Sequence, residues 1–127
     1  MSSWPTEITG VREDSTFQIT GTFKDEAGVA IPAADLATAK IWLYDHLGTV
    51  INSRTAVNIL NTGPGVITAG GVLTLTLAPL DNPIVGTGTE TVERHLLIIE
   101  WTWNAGVKKS HESIILVLTQ DDKVPTA

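Results

Sequence analysis

Residues Glu93 to Trp103 read E-R-H-L-L-I-I-E-W-T-W and are expected to form the central strand around which the chain is organised. The run has no Pro or Gly and is rich in β-branched and aromatic residues, which suits a strand. Counting by two puts His95, Leu97, Ile99, Trp101 and Trp103 on one face, and Arg94, Leu96, Ile98, Glu100 and Thr102 on the other. The first face is almost wholly apolar and belongs against a core. The second is apolar in its middle and polar at its ends, as in a strand whose other side is partly covered. A helix of the same residues would spread its apolar groups all round and would lack a good cap.

Outward from this strand, Asn104 to Gly106 (N-A-G) is a tight turn. The segment Lys108 to Gln120 then returns as an antiparallel partner, with Ile114, Leu116 and Leu118 on one face and His111, Ile115 and Val117 on the other. Such a hairpin sets His95 opposite a residue near position 115. Upstream, Thr16 to Phe23 alternates with Phe17, Ile19, Gly21 and Phe23 on one face, the Gly marking a bulge or a close approach. Lys40 to Asp45 is a strand with Ile41 and Leu43 on one face and Lys40, Trp42 and Tyr44 on the other. Val72 to Ala78 alternates strictly, its leucines inward. Shorter strands are expected at 8–11, 49–53, 57–60 and 66–68. Asp35 is a candidate cap for one helical turn through Ala39, a loop crossing the end of a sandwich being the other reading. Leu80 to Thr91 reads as a long irregular connection.

Seven to nine short strands with turns about every ten residues predict an all-β fold. The expected form is an antiparallel, immunoglobulin-like β-sandwich, with a barrel as runner-up. The 127 residues suffice for a single domain, with loose ends at about 1–7 and 121–127. There are no cysteines, so an antibody-type disulfide and thiolate metal sites are impossible. The formal net charge of −6 and the scattered bases argue against a nucleic-acid or anionic-membrane surface. No apolar run approaches the length of a membrane span, and the opening M-S-S-W-P-T-E has neither the basic region nor the apolar stretch of a signal peptide.

A search for chemistry returns little. The histidines are His46, His95 and His111. The hairpin spacing keeps His95 and His111 apart, and zinc would need a third ligand that the pattern does not supply. His46, in a turn beside Asp45, reads as solvent-exposed. The carboxylate pairs Asp25–Glu26, Asp121–Asp122 and Glu90 with Glu93 follow no calcium-loop spacing. Glu100, mid-strand, is best explained by a cross-strand Lys such as Lys109. The chain is therefore expected to be no enzyme and to bind no metal or cofactor.

Two faces are candidates for binding. Lys40, Trp42 and Tyr44 present adjacent aromatics opposite a core-facing pair, which suits a protein interface or a sugar-stacking platform. The row Val72, Thr74 and Thr76 is flat, uncharged β surface suited to another subunit. Trp4, in the N-terminal tail, is a third candidate, either for docking on a neighbour or for folding back on its own sheet.

The segment F-Q-I-T-G-T-F-K-D-E-A-G-V-A-I, followed by A-K-I-W-L-Y-D-H-L-G-T-V, resembles small virion proteins of tailed bacteriophages. The match lies in two D-x-x-G turns, Asp25–Gly28 and Asp45–Gly48, each following a strand. The later G-V-L-T-L-T-L and E-S-I-I-L-V-L-T fit the remaining strands. The resemblance covers roughly residues 16 to 120. It implies an immunoglobulin-like sandwich serving as adaptor, decoration or joint in the virion. It further implies multiple copies in a symmetric assembly and contact with capsid, neck or tail subunits. No catalytic residues carry over.

Overall fold

The computed structural model describes residues 4–84 and 92–119. Eight strands occupy them: β1 Glu7–Arg12, β2 Phe17–Thr22, β3 Leu36–Tyr44, β4 Val57–Asn58, β5 Gly65–Ile67, β6 Val72–Leu77, β7 Val92–Trp103 and β8 Lys108–Thr119. Five form one sheet in the order β1-β8-β7-β3-β4, and three form the other, β2-β6-β5. β7 is the central strand of the larger sheet. With β2-β6-β5 facing β8-β7-β3-β4, the strand order is that of an immunoglobulin-like sandwich with one short strand added beyond β3.

The core follows from alternation. Leu97, Ile99 and Trp101 of β7, Ala39, Ile41 and Leu43 of β3, and Ile114, Leu116 and Leu118 of β8 are buried. They meet Ile19, Leu73, Leu75 and Leu77 from the smaller sheet. Each large aliphatic side chain so placed contributes about 1.5–3 kcal/mol through removal from water. β7 and β8 are antiparallel around the N-A-G turn, with His95 level with Leu116 and Trp103 with Lys108. Asn104 and Ala105 both take positive φ there, at 57° each.

Several expectations are corrected. The sandwich is not wholly antiparallel: β1 runs parallel to β8, placing Glu7 level with Ile115 and Val11 with Leu118. From Trp4 onward the N-terminal segment is packed rather than loose. Trp4 is 6% exposed and packs against Phe23 and Trp101, with ring centroids 5.6 and 5.9 Å away. Its Nε1 donates to the Thr22 carbonyl at 3.0 Å. Asp35 caps no helical turn: a 3-10 turn spans Ala33–Asp35, and β3 starts at Leu36, so tertiary pairing overrides the local helix preference of the Ala-rich run. Residues 49–53 contribute one bridge, Tyr44 to Val50, rather than a strand. The expected loose end at 121–127 and most of the 80–91 connection lie outside the described residues.

Candidate interaction face

The two D-x-x-G turns share one construction. Asp25 Oδ1 accepts from the N–H groups of Ala27 and Val29, and Asp45 Oδ1 from those of Leu47 and Thr49. Gly28 and Gly48 close them at φ of 80° and 85°, a conformation in which a side chain is strained. The second turn fixes the end of β3 and so aims its outward residues.

Those residues join a continuous face. Backbone register aligns Lys40, Glu100 and His111 in one row, Trp42, Ile98 and Ser113 in the next, and Tyr44, Leu96 and Ile115 in a third. Val50 extends the third row beyond Tyr44, and Glu7 beyond Ile115. Because side chains alternate across a strand, all point away from the core. Val50 and Ile115 are each 38% exposed, and Trp42, Tyr44, Leu96 and Ile98 are half-buried. The middle of the face is thus apolar. Lys40, Glu100 and Lys109 rim one end, and Arg94 and Glu7 the other. Beside Tyr44 lies a shallow, mostly apolar depression bordered by His46, Arg94, Leu96 and Ile115.

The face on the smaller sheet is different in kind. Val72, Thr74 and Thr76 are level with Thr22, Thr20 and Gln18 of β2, and Gln18 Nε2 donates to Thr76 Oγ1 at 3.3 Å. It is a threonine-rich surface on which Val66, level with Thr74, and Val72 are the exposed apolar residues, with no aromatic side chain among them. Trp4, the third candidate, is spent inside the fold and is not available to a partner.

A polar cluster that sequence reading misses closes one end of the larger sheet. Glu93 and His95 share the inward face of β7, two residues apart. His95 Nε2 donates to Glu93 Oε1 at 2.5 Å, and His46 Nδ1 lies 3.2 Å from Glu93 Oε2. His46 is solvent-exposed as its turn position suggests, and its Nδ1 also reaches the buried Glu93 carboxylate. Asp45 sits beside both rings. Burial pushes its carboxyl up, but the Thr49 and Leu47 N–H groups and the nearby histidines together hold it below the usual range. His95 Nδ1 is buried with no hydrogen-bond partner among the described residues. No group of three or more His, Asp or Glu among the described residues is placed to hold a metal ion. His111 lies level with Glu100, away from His95, and Lys109 Nζ is 3.7 Å from Glu100 Oε2, the pairing expected from sequence.

A second buried network ties the connections together. Arg54 donates from Nε to Asp81 Oδ1 at 2.8 Å and from Nη2 to Oδ2 at 3.0 Å. Asn52 Nδ2 and the Ala78 N–H complete the shell of Asp81, which is fully buried. The neighbouring Asn82 is equally buried and reaches the Ser15 carbonyl through Nδ2. These groups tie the loops together, and Asn82 Oδ1 is buried with no hydrogen-bond partner among the described residues.

No family model matches the chain, and no curated protein matches it in sequence. Among solved structures it is similar to a chimeric titin Z1Z2 functionalized with an exogenous peptide from decorin. The identity is 12%, the TM-score 0.40, and the match covers 95% of this chain and 94% of that one. In this sandwich the outer face of β3, β7 and β8 is apolar in its middle.

Proposed function

We propose that this chain is a non-enzymatic structural subunit that joins or decorates a tailed-bacteriophage particle through its larger sheet. The observation that carries the reading is the outer face just described. It places Trp42 and Tyr44 beside Leu96, Ile98, Val50 and Ile115 in one solvent-reached apolar field with a charged rim. Apolar centre and polar rim is the anatomy of a protein interface, and aromatic residues are its usual anchors. Aliphatic neighbours on both sides suit a protein partner better than a sugar, which stacks on an aromatic plane and needs polar groups around it. The likeness of the D-x-x-G turns to phage virion proteins supplies the setting, with capsid, neck or tail subunits as neighbours. Repetition on a symmetric particle would let a modest contact hold through multivalency.

The test changes Trp42 and Tyr44 to Ser together, after circular dichroism and thermal melting establish that the variant folds. Incorporation into particles and binding to a glycan panel are then measured side by side. Loss of incorporation is the expected result. Intact incorporation with lost glycan binding would replace this reading with a carbohydrate-binding module. If neither changes, the face is not the functional one.

A further inference from the structure

We infer that the occupant of the β3-β7-β8 face is a second copy of this chain, the two sheets meeting about a twofold axis. The inference rests on reading that face as a contact surface and adds the identity of the partner. Its basis is a pattern of self-complementarity. Along β7 the outward residues run Arg94, Leu96, Ile98, Glu100, which is base, aliphatic, aliphatic, acid. On β3, Tyr44 is level with Leu96 and Trp42 with Ile98. A twofold axis lying in the interface, across the strands at the level of Leu97, exchanges the two ends of this pattern. It brings Ile98 over Leu96 of the second copy and Trp42 over Tyr44 of the second copy. Arg94 falls over Glu100 of the second copy, and symmetry makes that ion pair twice. Had both ends been basic, the same operation would set like against like.

The geometry is that of ordinary sheet packing. Two sheets stack about 10 Å apart with strands within about 30° of alignment. Arg94 and Glu100 lie about 20 Å apart along the strand at roughly 3.3 Å per residue, so each pair sits about 10 Å from the axis. Long side chains absorb the lateral offset that the sheet twist introduces there. Both residues can exchange partners at little cost. Arg94 Nε is 3.9 Å from Glu7 and Glu100 is 3.7 Å from Lys109, with Arg94 and Lys109 both well exposed, and such surface pairs contribute little. The chain's net charge of −6 opposes self-association at long range, but this face carries Lys40, Arg94 and Lys109 against Glu7 and Glu100. The repulsive charge therefore lies elsewhere on the molecule.

The experiment is sedimentation equilibrium of the full chain over a wide concentration range, with Arg94→Glu, Glu100→Arg, the double reversal, and an equimolar mixture of the two single variants. The expected result is a concentration-dependent dimer. Each single reversal weakens it about tenfold or more, because like charges meet at two sites. The double reversal and the mixture restore it, the mixture as a heterodimer in which all four charges pair. A chain that stays monomeric throughout, or a dimer indifferent to both single reversals, overturns the inference. Failure here is separable from failure of the functional reading: a monomer whose Trp42→Ser/Tyr44→Ser variant no longer incorporates keeps the contact face and loses only the second copy.

Discussion

The indole of Trp4 packs against Gly21 so closely that a Cβ on residue 21 would clash with Trp4 Cε3 and Cδ2. A tail residue and a mid-strand glycine thus specify one another. The glycine leaves the floor of a slot, Phe23 and Trp101 form its walls, and Trp4 fills it.

Gly21→Ala is therefore expected to expel or tilt the Trp4 ring and to destabilise the fold by about 1–3 kcal/mol, the usual cost of overpacking. Trp4→Ala should cost about 3–5 kcal/mol, as for other buried aromatics. The informative variant is the double one. With the ring gone, Gly21→Ala has nothing to strike, so the two effects combine to well below their sum. Urea unfolding of the four proteins checks this, and additive effects would show that the contact is not the cause.

Asp81 contributes to the acid dependence of stability. Burial raises its carboxyl, but the Arg54 guanidinium, Asn52 and the Ala78 N–H outweigh it and hold the group below the ordinary 3.8. A depressed folded-state value means that the unfolded chain takes up this proton more readily. The stabilisation is complete above the ordinary value and is lost as pH falls below it through the depressed one. Asp81→Asn should remove that part of the acid dependence. It should also cost about 3 kcal/mol at neutral pH, because Arg54 is left mostly buried without its counter-charge. Thermal melts of both proteins from neutral pH down to about pH 2 check the two expectations together.

Glu93 is expected to hold the β3–β4 turn through His46 and the sheet end through His95. Glu93→Ala leaves the His95 ring buried with neither nitrogen bonded among the described residues, at a cost of about 1–3 kcal/mol. His46→Ala removes only the half-exposed arm and should cost less than about 1 kcal/mol. Denaturant midpoints for the two variants provide the comparison, and an equal loss in both would contradict the assignment of His95 as the principal partner.

The candidate face is partly legible in the sequence. Period two on β3 is enough to turn Trp42 and Tyr44 away from Ile41 and Leu43. Their union with Leu96, Ile98 and Ile115 is not legible there, because it depends on which strand lies beside which and in what register. Glu93 and His95 are readable as same-face neighbours two residues apart, and that spacing is the one sequence signal of the polar cluster. That His46 reaches the same carboxylate has no such signal, since 47 positions separate it from Glu93 in the chain.

The sequence alone determined the long alternating strands, their inward faces and the antiparallel β7–β8 hairpin, because alternation and turn chemistry are local and repeat within a few residues. Both D-x-x-G turns were fixed in the same way, by an Asp side chain reaching N–H groups two and four residues on. The tertiary structure decided everything that joins distant segments. It set β1 parallel to β8, drew Trp4 from the tail into the slot over Gly21, placed the Asp81 carboxylate on Arg54, and assembled three strands into one outward apolar field. Each of these depends on burial and register across tens of residues, and a chain's local pattern carries no record of which partner will stand opposite.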